Sequence, residues 1–196
     1  MRVDVEGVGG AILVLLFSLS GCAALAPVRT VQRAPDAALR ERRVITMAPV
    51  DVGPAPTRTA EEVGRAVEAV AAHKANRDGL NLVVSPERRA GTQLWVRPVL
   101  VQVKSPAAED VTPFHWVDAK LRVELRTTDG RPLEVIEIER MVEVPSALDC
   151  AVDGWAELEC AAWGRPDDAV RLAGRVLGTA LADYLHDRVG SGALDG

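Results

Sequence analysis

The stretch of sequence that decides the fold is VDAKLRVELRTTDGRPLEVIEIERMV, residues 117–142. From Val117 to Leu125 apolar residues alternate with charged ones, which is the period of a strand with one buried face. Asp129 and Gly130 then supply residues that tolerate the positive φ angles of a tight turn. The stretch therefore predicts two antiparallel strands joined at this turn.

Closing the hairpin at that turn sets one register for both of its faces. On one face it pairs apolar residues: Val117 with Val142, Leu121 with Ile138, and Val123 with Ile136. On the other face it pairs opposite charges: Lys120 with Glu139, and Arg122 with Glu137. A slip of one residue would send each side chain to the wrong face, so this register is strongly specified.

An acidic run in the second strand admits two interpretations. Its members are Glu134, Glu137, Glu139 and Glu143. A pair of carboxylates suits acid–base catalysis. The cross-strand partners Lys120 and Arg122 favour the other interpretation, a solvated face that is neutralised by basic residues.

The segments before the hairpin predict one helix between strands. Val44 to Val52 is rich in β-branched residues and ends at Gly53-Pro54. Thr59-Ala60-Glu61-Glu62 has the pattern of a capping box that opens a helix, and Gly79 can end it. Leu80 to Val84 and Leu94 to Lys104 follow as strands. Because Pro98 lacks an amide donor, the second of these is predicted to be an edge or bulged strand.

A second helix is predicted from Pro166 to Val189, with Gly190 as its stop. Gly174 and Gly178 lie inside it, where glycine is unfavourable, so we expect close contact with the first helix near Gly64. The predicted order is β-α-β-β-β-β-α, or β-α-β-β-β-α if Leu80 to Val84 merges with the neighbouring strand. It indicates an α/β protein of the α+β kind, a βαβββα-like two-layer sandwich in which a mainly antiparallel sheet carries two helices on one face.

The amino-terminal segment carries the clearest functional motif. Ala11 to Leu19 is an apolar run too short to span a membrane, and Leu19-Ser20-Gly21-Cys22 follows it. These residues resemble the lipobox of bacterial lipoprotein precursors. The resemblance implies cleavage before Cys22 and a diacylglycerol on its sulfur. An ordinary secretory signal and a buried helix of a cytosolic protein are the alternatives.

The resemblance also implies a location and a domain organisation. Ala23, where an aspartate would retain the protein in the inner membrane, implies the outer membrane, facing the periplasm. We expect a signal peptide over residues 1–21, the lipidated cysteine and a flexible tether over 22–43, one periplasmic domain over 44–190, and a disordered tail over 191–196. The tether lacks apolar periodicity and contains Pro27 and Pro35.

The remaining cysteines, Cys150 and Cys160, form an even pair in a protein expected to be exported. Oxidising conditions favour a disulfide between them. A metal site and two free thiols are the alternatives. Their segment, from Pro145 to about Arg165, reads as a long loop, and such loops are uncommon in compact domains.

Four aromatic residues are candidates for a protein interface: Phe114, Trp116, Trp155 and Trp163. Aromatic side chains are favoured as interface anchors, and membership of the core is the alternative. The chain has 23 basic and 28 acidic residues and no basic patch in its sequence, so nucleic acid is not an expected partner. We expect the membrane, through the lipid, and an envelope protein as partners.

No familiar catalytic motif occurs, and the three histidines, His73, His115 and His186, lie in separate contexts. We therefore expect a non-catalytic interaction or assembly module without a cofactor or metal. An envelope enzyme and a transport component that binds lipid or lipopolysaccharide are the alternatives. The layout resembles small outer-membrane lipoproteins of the LptE and YajG types. Because Ala23-Ala24-Leu25 replaces the LptE signature after the cysteine, the resemblance assigns only Cys22.

Overall fold

The computed structural model describes residues 26–40, 42–106, 114–145 and 166–190. This part of the chain contains six strands and two helices, in the order β1 (Val28–Gln32), β2 (Val44–Met47), α1 (Arg58–Arg77), β3 (Asn81–Val84), β4 (Leu94–Lys104), β5 (Phe114–Arg126), β6 (Pro132–Pro145) and α2 (Pro166–Gly190). A single turn of 3₁₀ helix, Asp36–Ala38, follows β1.

The strands form one sheet in the order β1-β6-β5-β4-β2-β3. The pairs β1–β6, β5–β6 and β4–β5 are antiparallel, and β2 pairs in parallel with both β3 and β4. Apolar residues of the sheet and of both helices share one core, which places the two helices on the same face. The predicted fold class, a mainly antiparallel sheet with two helices, is confirmed.

The hairpin has the predicted register. Val117 faces Val142, Leu121 faces Ile138, and Lys120 faces Glu139. Gly130 has φ +89°, as the turn requires. Lys120 Nζ lies 2.9 Å from the carboxylate of Glu137, diagonally across the strands, and 3.7 Å from that of Glu139. The direct neighbour is therefore the weaker of its two partners.

One detail of the predicted elements is wrong, the start of α1, and of the two alternatives for β4, an edge or a bulged strand, the bulged one is confirmed. Helix α1 begins two residues early, because Thr57 is the N-cap and its hydroxyl accepts a hydrogen bond from the amide of Ala60 at 3.2 Å. Strand β4 is an interior strand and not an edge strand. Pro98 is tolerated there because it lies beyond the end of the β2 ladder, where Asp51 donates to its carbonyl at 3.0 Å. A bulge does occur nearby, between Leu100 and Gln102.

The two glycines of α2 meet α1, as expected. A Cβ on Gly174 would lie 2.3 Å from the Cβ of Ala66, and one on Gly178 would lie 2.9 Å from the carbonyl oxygen of Val67. Gly64 itself packs against Val50 and Val52 rather than against α2. Because successive glycines of α2 meet successive turns of α1, the two helices run in parallel.

The expected flexible tether is the largest error. Strand β1 lies inside it and pairs with β6, with Val28 opposite Ile138 and Arg29 opposite Glu137. Ala26 and Leu39 are buried in the common core. Residues 26–40 therefore belong to the domain. At most three residues, Ala23-Ala24-Leu25, separate Cys22 from it in the sequence.

Candidate interaction surface

The sheet has two ends that differ in what connects to them. We call proximal the end where β5 begins and β4 and β6 end, since Phe114 lies opposite Pro145 and Lys104 lies opposite Asp118. The opposite end, with the hairpin turn, is distal. Strand β1 begins part-way along β6, with Val28 opposite Ile138, and runs towards the distal end, so Ala26 and Pro27 lie on its proximal side.

The distal end holds the N-terminal segment through a buried carboxylate, Glu134. Its side chain is fully buried and accepts a hydrogen bond from the amide of Ala34 at 3.0 Å. Arg188 of α2 donates to it through Nη2 at 2.7 Å and Nε at 3.2 Å, and the hydroxyl of Tyr184 donates to it as well. Glu134 thus joins β6, α2 and the N-terminal segment.

Arg188 adds two further contacts to this cluster. Its Nη2 donates to the carbonyl of Ala34 at 3.0 Å, and its Nη1 forms an ion pair with Asp36. The hydrogen bond with Glu134 raises the pKa of Arg188, and the hydrogen bond from Arg188 lowers the pKa of Asp36 below its ordinary value of 3.8. These contacts fasten residues 34–36 to the domain.

The interpretation of the acidic run as a solvated face includes Glu134. That assignment is wrong for Glu134 alone: in the register it lies opposite Leu125, on the apolar face. Because every second residue of a strand points to the same face, counting along β6 from the turn places Glu134 on the apolar face, and this was the signal in the sequence. Glu137 does lie on the solvated face, where the hydrogen bond from Lys120 lowers its pKa.

The sheet face away from the helices is covered at its distal end. Trp95 is buried there, and the guanidinium of Arg88 lies 5.3 Å from the centre of its ring. Arg88 also donates to the carbonyl of Thr128 in the hairpin turn. Thr92 pairs with Thr46 across 2.6 Å, so residues 85–93 close this part of the face.

The proximal half of the same face is open and contains a shallow groove of 790 Å³. Met141 lines the groove and is 55% exposed, although methionine is normally a core residue. Trp116 is partly buried and lies opposite Glu143 at the same end. Charged residues, among them Arg29 and Glu143, line the rest of it.

The polar groups of the groove differ in how far they are engaged within the described residues. Arg29 lies opposite Glu137 and is attracted to its carboxylate, and Asp118 accepts a hydrogen bond from Gln102 at 2.7 Å, whereas Glu143 makes no hydrogen bond or salt bridge among these residues. Exposed apolar side chains surrounded by charged ones are typical of protein interfaces. The proximal open face is therefore the candidate interaction surface.

The predicted site residues fall only partly within this surface. Trp116 lies on it, and Phe114 occupies the first position of β5. Cys22, Cys150, Cys160, Trp155 and Trp163 lie outside the described residues, as do the predicted signal peptide and tail. The segment with the cysteine pair nevertheless connects the end of β6 to the start of α2, and β6 ends at the proximal end.

No group of three or more His, Cys, Asp or Glu residues among the described ones could hold a metal ion. Of the helices in this part of the chain, none is both long and apolar enough to cross a membrane.

The sequence matches no protein-family model and no curated protein. Solved structures of similar layout include a PelC dodecamer from Paraburkholderia phytofirmans, with 14% identity, TM-score 0.47, and coverage of 80% of this chain and 98% of that one. A minor lipoprotein from Acinetobacter baumannii has 10% identity and TM-score 0.45 and covers 74% and 92%. A DUF330 protein from Xanthomonas campestris has 13% identity and TM-score 0.46 and covers 83% and 93%. Identities this low say nothing about activity.

Proposed function

We propose that this protein is a lipid-anchored lipoprotein of the bacterial cell envelope, most simply of the outer membrane facing the periplasm. It acts there as a non-catalytic interaction or assembly module. The anchor is the diacylglycerol on Cys22. The partner is an envelope protein that binds the proximal open face.

The observation that carries the proposal is that Ala26, only four residues after Cys22 in the sequence, is already buried in the core. Ala26 is 4% exposed in the core, so four residue steps separate the lipidated cysteine from the fold. A fully extended chain spans at most about 3.6 Å per residue, which limits this distance to about 14 Å. The anchor therefore holds the proximal end of the sheet close to the bilayer surface.

In the described part of the chain, a buried carboxylate and two histidines are polar groups that could serve catalysis, and they are engaged or separated. Glu134, the fully buried carboxylate, is occupied by Ala34, Tyr184 and Arg188. His73 and His186 are exposed on different helices. This arrangement favours a binding role over an envelope enzyme, which stays the second possibility from the sequence.

The anchor is tested by metabolic labelling with a fatty acid. Wild-type protein is expected to incorporate the label and Cys22→Ala to lose it. Cys150→Ala is the matched control, since it removes a cysteine that the proposal does not place at the anchor, and it should keep full labelling. Equal labelling of wild type and Cys22→Ala would contradict the anchor.

The interaction role is tested by photo-crosslinking in intact cells. A photoreactive amino acid at Met141, in the open groove, is expected to give a discrete protein adduct. The same amino acid at Asp129, in the distal turn, is the control and should not. Absence of adducts at Met141, together with turnover of an envelope substrate by the purified protein, would favour the enzyme instead.

A further inference from the structure

Strand β6 has an edge that the described part of the chain leaves partly uncovered. On one side β5 pairs with β6 along its whole length, from Pro132 to Pro145. On the other side β1 pairs with it only from Val135 to Ile138. The same register, continued, places Pro27 opposite Glu139, and the ladder ends there because a proline has no amide to donate. The proximal half of β6 therefore has no strand beside it among the described residues.

The backbone of β6 directs every second residue towards this edge. Leu100 of β4 donates its amide to Asp51 at 2.8 Å and not to β5. It lies opposite Leu121, which in turn lies opposite Ile138. Because backbone groups alternate in direction along a strand, Leu121 and Ile138 form hydrogen bonds with each other. The odd-numbered residues of β6 therefore point their N–H and C=O groups away from β5.

Met141 and Glu143 carry these outward groups in the uncovered half. In the described part of the chain no backbone group pairs with them at this edge. Unpaired edge groups are a template for a further strand. The opposite edge of the sheet differs, because the side-chain amide of Asn76 accepts from the amide of Leu82 at 2.7 Å and donates to its carbonyl at 2.9 Å. The sheet thus protects its β3 edge with a side chain and leaves the β6 edge open.

Arg140, next to Met141, lies where an apolar residue is expected. In the register it lies opposite Ala119, which is fully buried, on the helix-facing side of the sheet. Its Nε is buried and has no hydrogen-bond partner, and its guanidinium forms no salt bridge with a described residue. Buried polar atoms without a partner are rare because they cost free energy. Arg140 also lines the groove of the proximal open face, so it lies at the uncovered edge.

We infer that this edge receives a strand from the partner protein and that a carboxylate of the added strand binds Arg140. The inference rests on the proposed function, since the edge borders the face that the partner is proposed to bind. In strand addition, main-chain hydrogen bonds supply affinity and alternate side chains supply specificity. The main-chain bonds form with Met141 and Glu143.

The edge also defines the side chains that the added strand must carry. Its residue beside Arg140 is Asp or Glu, because guanidinium and carboxylate groups form paired, charge-assisted hydrogen bonds. Its next residue on the same face, two positions away, is apolar because it lies beside Val142, which is 7% exposed. The partner segment is therefore extended, with an acidic residue between apolar ones at every second position.

A second copy of this chain fits the edge less well. Two β6 edges related by a twofold axis run antiparallel, so only one proximal end could face the membrane. In the register centred on Met141, Glu139 of one copy would lie beside Glu143 of the other, and like charges in this position are unfavourable. None of the even-numbered residues of β6 from 138 to 144 is acidic, so Arg140 would still lack a carboxylate in every register.

The inference is tested with full-length protein in a neutral detergent and a fluorescent peptide. The probe is Thr-Val-Thr-Glu-Thr-Val-Thr, blocked at both ends, and the blank has Gln in place of Glu. Fluorescence anisotropy measures binding. We expect wild type to bind the probe about tenfold more tightly than the blank, because hydrogen bonds between charged groups are stronger than neutral ones.

Charge reversal separates recognition from a merely structural role. Arg140→Glu should bind the probe at least about tenfold more weakly and should instead prefer a peptide with Lys in place of Glu. Arg97→Glu makes the same change at an exposed position of β4, away from the edge, and should alter probe binding less than about twofold. Urea unfolding checks that both variants are folded, and the comparison of probe and blank on wild type needs neither.

The backbone contact is tested at Met141. Met141→Pro removes an outward amide but no hydrogen bond to β5, whereas Met141→Thr removes the same side chain and keeps the amide. We expect the proline variant to bind the probe at least about tenfold more weakly than the threonine variant. Equal binding by the two would overturn strand addition.

Three other results would overturn the inference. They are no binding of the probe by wild type, equal binding of probe and blank, and self-association of wild type that Met141→Pro abolishes in sedimentation experiments. The adduct that tests the proposed function forms in cells with the native partner and needs neither the probe nor a change at Arg140. The two proposals can therefore fail separately.

Discussion

Glu134 is the residue that fastens the N-terminal segment to the rest of the domain. It is fully buried, and its ion pair with Arg188 is almost fully buried too, with 10% of the arginine side chain exposed. A buried pair of this kind adds little by itself, but the loss of one partner leaves an uncompensated charge. The cluster therefore constrains the N-terminal segment more than it stabilises the whole fold.

Removing only the carboxylate should be costly. For Glu134→Ala we expect a loss of about 3 kcal/mol in the free energy of unfolding, because Arg188, the amide of Ala34 and the hydroxyl of Tyr184 all lose their buried acceptor and Asp36 is the one carboxylate left to Arg188. The double variant Glu134→Leu with Arg188→Met should recover most of this loss, since it replaces the pair by apolar groups. Urea unfolding measures both. A single variant that unfolds like wild type would contradict the role given to this cluster.

The lowered pKa of Asp36 predicts how the free energy of unfolding changes with pH. The hydrogen bond from Arg188 lowers its pKa in the folded state below 3.8. Its contribution to stability is therefore fully present above that value and is lost as the pH falls through the lower folded-state pKa. In urea unfolding at pH 7 and pH 3, Asp36→Asn should lose less stability on acidification than wild type. An identical loss in both proteins would exclude the effect.

At the scale of elements, sequence patterns predicted the features that depend only on residues close together in the chain. The hairpin register follows from alternation and from the Asp129-Gly130 turn, and both helices follow from apolar spacing and end signals. The sequence is ambiguous where two similar residues could both cap a helix, or where the position of a residue in the sheet depends on a strand far away in the sequence. Thr57 and Thr59 are both good N-caps, and the position of Pro98 in the sheet depends on where β2 ends.

The parallel contact of α1 and α2 should tolerate no added methyl group at its centre. Gly174→Ala places a Cβ against Ala66, and we expect a loss of about 1–3 kcal/mol in unfolding free energy despite the better helix propensity of alanine. Ala66→Gly in the same chain removes the facing methyl group and should recover part of the loss. Thermal and urea unfolding of the single and double variants provide the comparison. Additive effects would show that the two positions do not meet.

At the scale of the whole molecule, the N-terminal strand is the feature that the sequence could not predict. Residues 26–40 show no apolar alternation of their own, and their partners lie about a hundred positions away, as in the hydrogen bond from Ala34 to Glu134. The candidate surface was only partly predicted for the same reason. Trp116 was identified as an aromatic residue, whereas the exposure of Met141 depends on the sheet that surrounds it.

The short connection to the anchor can be lengthened without touching the fold. Twelve Gly and Ser residues inserted between Leu25 and Ala26 add a flexible span of about 20 Å. We expect the free energy of unfolding and the lipid labelling to be unchanged, and the crosslinked adduct from Met141 to decrease. The same segment added after Gly196 is the control and should leave the adduct unchanged. An undiminished adduct in the first protein would show that closeness to the membrane is not required.

We propose that the lipid on Cys22 holds the proximal end of the sheet towards the membrane, and fluorescence quenching from the bilayer measures this orientation directly. A fluorescent amino acid is placed at Met141 or at Asp129 in the turn, and the part of β6 between Met141 and Pro132 alone separates them by about 30 Å at 3.3 Å per residue. The lipidated protein is then inserted into bilayers with a quencher on the lipid headgroups. The account predicts strong quenching at Met141 and little at Asp129; equal quenching at both positions, or stronger quenching at Asp129, would contradict it.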